Sequence, residues 1–185
     1  MKVSGKAMIF GDDVNTDVII PSKYLTSLDP EELAKHAMEG LDPKFAEKAK
    51  DGVIIVAGRN FGCGSSREQA PIALKYAGVK CVLADFFARI FYRNAINIGL
   101  PVLESPDISR EIEEGDILTV DLEEGKIVNE TKNKVIDAIK LPDFILEILK
   151  DGGLINHLKK KIGGGEKYEI QSRADSGRWN RPRAN

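Results

Sequence analysis

The chain has 185 residues, 42% of them apolar and 30% charged, with a formal net charge of −2. That balance fits one globular domain with a real core, and it leaves no global field to recruit nucleic acid or an acidic membrane. No apolar run approaches the roughly 20 residues that span a bilayer, and MKVSGKAMIFGDD is too short and broken in its apolar stretch for a secretory signal, so a cytoplasmic protein is expected.

Residues 2–10, KVSGKAMIF, read as a strand, followed by the polar turn DDVNTD (12–17) and a short apolar VII that ends at Pro21. Asp29 as N-cap, Pro30 at the first helical position and Gly40 as a stop predict a helix over 29–40. Asp42–Pro43 repeats the start signal, for a second short helix to about 49. VIIVA (53–57) is a continuous β-branched run, the pattern of a strand buried on both faces. A helix is expected from about 67 to 77, closed by Gly78. Then come a strand over 79–85, an amphipathic helix over 87–99 and a short strand at 101–105.

The pattern then changes. Residues 116–122, 126–130 and 134–139 alternate apolar with polar between turn residues, as in an antiparallel meander. Helices at 142–153 and 154–161 close the domain. The expected class is α/β, with mixed parallel and antiparallel strands and flanking helices. The periodic pattern spans 1–163. Residues 164–185 carry five Lys/Arg, the only tryptophan and no periodicity, and read as a disordered tail or an appended remnant.

Between VIIVA and the helix lies GRNFGCGSSREQ (58–69). Glycines at a strand-to-helix turn free backbone N–H groups for an anion. A Walker loop needs a lysine that is absent here, and the GxGxxG dinucleotide fingerprint is missing too. A serine-hydrolase elbow needs GxSxG and a histidine, and neither His36 nor His157 is tied to the serines by any feature of the sequence. A carboxylate suits the parts: Arg67 offers a bidentate fork, and the serines and N–H groups add donors. A plain capping box, Ser66 with Gln69, accounts for part of the pattern without a ligand.

GRNFGCGSSREQAP resembles the signature of the small, swivel-type subunits of isopropylmalate dehydratase, in the aconitase superfamily. FGDDVNTDVIIPSKYL (10–25) and ADFFARIFYRNAINIGLP (84–101) resemble two further landmarks of that family, in the same order. The resemblance implies a swivelling β/β/α domain that closes over a separate large subunit carrying a [4Fe-4S] cluster. With only Cys63 and Cys81, this chain lacks the thiolates to hold one, so no cofactor is expected on it.

The implied reaction isomerises 2-isopropylmalate and 3-isopropylmalate by dehydration and rehydration, in leucine biosynthesis. The resemblance gives Ser65 the role of base, as an alkoxide. Ser66 and Arg67 match positions that hold a substrate carboxylate, and Gly62 and Gly64 would let donors approach. An aliphatic hydroxyl titrates near water's ~15.7, so bringing it to neutrality takes about 9 units, or ~12 kcal/mol. Several converging donors in a closed site are needed for that.

Asp17 matches an active-site acid of the family; a turn aspartate capping the chain before a strand is the plain alternative, and Asn15 and Thr16 read as turn formers. Substrate choice should depend on SKYLTSLD (22–29). Relatives acting on a third carboxylate, such as homoaconitase, tend to place arginine after Tyr-Leu, where this chain has Thr26. An apolar substituent is therefore expected, in contact with Leu25 or Leu28, with dimethylmalate- and methylmalate-type substrates left open. Homoaconitase is the alternative enzyme, and a stand-alone carboxylate-binding module the alternative of another class. Arg89 and Arg93, four apart on one helix, are either partner contacts or solvated charges.

Overall fold

A computed structural model describes residues 1–163. The expectation for 164–185 lies outside the described residues. One seven-stranded sheet organises the fold, in the order β4-β3-β2-β1-β5-β6-β7. Its parallel half comprises β1 (Lys2–Ile9), β2 (Val53–Ala57), β3 (Val79–Ala84) and β4 (Val102–Glu104). The antiparallel half comprises β5 (Ile117–Asp121), β6 (Lys126–Asn129) and β7 (Lys134–Asp137), joined to β1 through β5.

Strand alternation divides the core in two. In β2, Val53, Ile55 and Ala57 face one layer while Ile54 and Val56 face the other, so all five residues are buried. The first layer holds α2 (Pro30–Lys35), α3 (Phe45–Ala49), α4 (Gln69–Ala77) and α5 (Arg89–Asn97), through Leu33, Phe45, Leu74 and Phe91. The second holds α6 (Ile108–Glu111) and α7 (Asp143–Lys150), through Ile108, Leu146 and Leu149. The chain described ends in α8 (Leu154–Gly163).

Several elements differ from the sequence reading. VII belongs to a helical turn, α1 (Thr16–Ile19), capped by Asn15, whose Oδ1 accepts from the Val18 N–H at 2.9 Å. Asp17 therefore lies in the first turn of α1, and it does not cap the chain before a strand. The helix from Pro30 stops at Lys35, well before Gly40. There Met38 turns to a φ of 57° and donates its N–H to the Ile19 carbonyl, so a tertiary contact overrides the local stop signal. Asp29 does cap it, accepting from Glu31 N–H. The sequence reading had no element where α6 stands.

No helix among the described residues is long and apolar enough to cross a membrane.

Candidate functional site

The loops after β1 and β2 leave the same edge of the sheet, at the carboxyl ends of the parallel strands. β1 is the strand where parallel pairing gives way to antiparallel, and open α/β sheets place ligand crevices outside the carboxyl ends of their parallel strands. The two loops run alongside each other as a continuous ladder. Gly58 N–H donates to the Gly11 carbonyl, Asp13 N–H to Arg59, Gly62 N–H to Val14 and Thr16 N–H to Cys63, at 2.7–3.2 Å. Side chains add to it: the Asp12 carboxylate accepts from the Arg59 backbone at 2.8 Å and its guanidinium at 3.1 Å, and Asn60 donates to Asp13.

The Arg59 backbone N–H, followed by its side chain, holds the Asp12 carboxyl below the usual carboxylate range. A depressed folded value means that this contribution is present above the unfolded pKa, about 4, and is lost as pH falls through the folded one. The Asp12→Asn variant should therefore melt below the wild type at pH 6, and the gap should close under about pH 3. Thermal scans of the two proteins against pH would show this, and a gap independent of pH would contradict it.

The ladder presents the 62–67 turn. Gly62 has a φ of +81°, and a Cβ built there would lie 2.2 Å from Cγ of Phe91, so both conformation and packing exclude a side chain. Because its N–H is committed to Val14, Gly62 serves packing and does not open access to a free donor. Gly64, with a φ of +93° and no close neighbour, turns the chain outward. Ser65 and Ser66 follow, both exposed. Among the described residues neither hydroxyl has a hydrogen-bond partner, and the N–H groups of Ser65 and Ser66 have no protein acceptor.

The capping box is not formed. α4 begins at Gln69, its N-cap is Glu68, and no side chain caps it. Pro71 falls at the third helical position, where its missing N–H costs nothing. Ser66 is thus free of the structural duty that would explain it without a ligand.

Arg67 is three-quarters or more buried, with a side-chain exposure of 14%. Its guanidinium forms an ion pair with Asp17 and donates from Nη1 to the Ile20 carbonyl at 3.1 Å. Arg67 and Asp17 are fifty residues apart in sequence and are brought together by the fold. Two of the five guanidinium donors are engaged here, which leaves donors for a further carboxylate. Asp17 itself is 58% exposed.

Of the 22–29 segment, Leu25 packs partly buried against the first core layer, Thr26 is exposed and Leu28 is 89% exposed. Lys23 pairs with Glu39 at 3.4 Å and lies over the Tyr24 ring. Arg89 and Arg93 are exposed and make no ion pair with a described residue. Both histidines are committed elsewhere. His36 stacks on Tyr24 at 3.7 Å and bonds Glu39; His157 bonds Asp151 at 2.7 Å. Among the described residues no serine is hydrogen-bonded to a histidine.

Cys81 is fully buried and Cys63 half-buried; burial, the larger cause, raises both thiols above their usual range. Two cysteines are too few thiolates to hold an iron–sulfur cluster, and no metal-holding group of His, Cys, Asp or Glu occurs among the described residues.

The family model for the aconitase C-terminal domain matches residues 13–107, a stretch that contains α1 and the whole 58–69 loop. A 3-isopropylmalate dehydratase small subunit of Halothermothrix orenii is 60% identical over 168 residues, 91% of this chain and 99% of the relative. The chain belongs to this family of small subunits.

Another relative, from Methanocaldococcus jannaschii, is named as an isopropylmalate/citramalate isomerase small subunit, 55% identical over 86% of this chain and 95% of its own length. A crystal structure of a 3-isopropylmalate dehydratase from the same organism superposes with a TM-score of 0.82 at 54% identity, covering 87% of this chain and 95% of the other. The family is one of aconitase-type hydro-lyases, and a small subunit implies a large one. The residue whose place at the site the sequence understated is Thr16, read there as a turn former. It is buried at 2% exposure, with its hydroxyl donating to the Ser65 carbonyl at 2.9 Å. Its position beside Asp17 was the only clue.

Proposed function

We propose that this chain is the small subunit of a cytoplasmic 3-isopropylmalate dehydratase and contributes one half of the active site. The observation that carries this is the pair of exposed, uncommitted serines beside Arg67 at the sheet's carboxyl edge, in a chain of this family. The other half lies on a large subunit with a [4Fe-4S] cluster, which supplies a Lewis acid for the departing hydroxyl.

This chain's residues do the rest. Ser65 Oγ takes the proton from the carbon next to a carboxylate, and returns it on rehydration. Ser66 and the remaining Arg67 donors hold that carboxylate, with Asp17 orienting the guanidinium from its far side. In the free chain Ser65 faces water, where an alkoxide has no support. Closure against the large subunit excludes that water and strengthens each charge–dipole interaction.

The specificity loop favours an apolar substituent. Its only cation, Lys23, is held by Glu39, while Leu28 is free to meet an isopropyl group. Leu25 serves packing more than contact. A smaller methylmalate-type substrate fits the same loop, consistent with the dual name of the M. jannaschii relative.

Reconstitution tests this reading. The chain alone should be colourless and inactive. With the large subunit it should convert isopropylmalate at least about 100-fold more efficiently than the tricarboxylate homoaconitate, because no fork awaits the third carboxylate. Comparable efficiency on homoaconitate would overturn the substrate assignment. Tight uptake of malate-type anions by the isolated chain, unaffected by Ser65→Ala, would favour a binding module.

A further inference from the structure

We infer that Thr16 is a positioning residue that fixes the peptide between Ser65 and Ser66 and thereby aims the Ser66 N–H at the substrate. This rests on the half-site reading above. Thr16 reaches the loop twice, through its backbone N–H to the Cys63 carbonyl at 2.8 Å and its hydroxyl to the Ser65 carbonyl at 2.9 Å. The Ser65 carbonyl also accepts the Arg67 N–H at 2.8 Å, so both of its lone pairs are used. A peptide plane held at its oxygen by two donors from different directions has little freedom to rotate.

In a trans peptide the C=O and N–H point in opposite directions. With the Ser65 oxygen drawn down to buried Thr16, the Ser66 N–H of the same plane is turned the other way. It finds no protein acceptor among the described residues and lies between two exposed serines. An unpaired N–H held in that direction is a preorganised donor for a carboxylate or for charge developing near Ser65. Asn15 keeps Thr16 in place by capping the turn that carries it.

The chemistry separates two roles that burial alone would merge. Thr16→Val keeps the shape and removes the hydroxyl; Thr16→Ser keeps the hydroxyl and removes a methyl. In the reconstituted two-subunit enzyme, Thr16→Val should lower kcat/KM for isopropylmalate by about 30- to 100-fold, the scale of a misplaced catalytic group. It should also raise the Ki of malate as a dicarboxylate inhibitor in parallel. Thr16→Ser should stay within about threefold of wild type, since its donor is intact. Thermal unfolding of both variants is measured alongside.

Equal losses in Val and Ser, or a Val variant with normal kcat/KM and Ki, would overturn the assignment. If Thr16→Val does not fold, Thr16→Ala is read in its place; if neither folds, the hydroxyl serves folding and the assignment is wrong. Ser65→Ala is the control. Normal turnover in Ser65→Ala means that the half-site reading itself has failed, whereas loss there with normal Thr16→Val removes only this inference.

Discussion

Replacing Ser65 with alanine is expected to lower kcat of the assembled enzyme by about 10²–10⁴-fold, the range for a positioned proton acceptor, with KM for isopropylmalate staying within about threefold. The asymmetry follows from where the hydroxyl sits. Ser65 Oγ makes no hydrogen bond among the described residues, so its loss breaks none of their contacts. In the proposed site the carboxylate would be gripped by Ser66 and Arg67, so ground-state binding should survive. What disappears is an interaction made only as the proton moves, and such losses fall on kcat and kcat/KM together. A Ser65→Ala enzyme whose KM rises while kcat holds would assign the serine to binding and leave the base unidentified.

Arg67→Lys is expected to raise KM by about 100-fold, roughly 3 kcal/mol, the loss of a charge-assisted pair. The two cations are not equivalent here. Arg67 satisfies Asp17 with one arm and the buried Ile20 carbonyl with another, and still has donors for the substrate. A lysine ammonium is a point charge and cannot present a planar fork in three directions at once. The same change should cost the isolated chain about 1 kcal/mol of stability, because the Ile20 carbonyl loses its guanidinium donor. Steady-state kinetics and thermal unfolding read the two effects separately. An unchanged KM would show that the carboxylate is held elsewhere.

How legible was this in the sequence? Features written in adjacent residues came through. VIIVA is buried on both faces as its composition demands, and Asp29–Pro30 starts a helix with the expected cap. The alternation after residue 116 folds as three antiparallel strands. The encounter of Arg67 with Asp17 was not legible, since no local rule joins positions so far apart. Features decided by distant contacts did not come through. The helix from Pro30 ends early because Met38 is drawn to Ile19, and the capping box fails because Ser66 is carried outward by the turn at Gly64. Thr16 read as a turn former because its hydroxyl finds its partner only when two loops lie side by side. A side chain whose acceptor is 49 residues away leaves no periodic signal.

The direct test of the half-site is a structure of the assembled enzyme with a malate-type dicarboxylate bound. Ser65 Oγ is expected about 3–3.5 Å from the carbon that loses its hydrogen, a near-attack distance, with Arg67 and Ser66 on the adjoining carboxylate. A ligand bound wholly by the large subunit, with the 62–67 turn facing solvent, would contradict it.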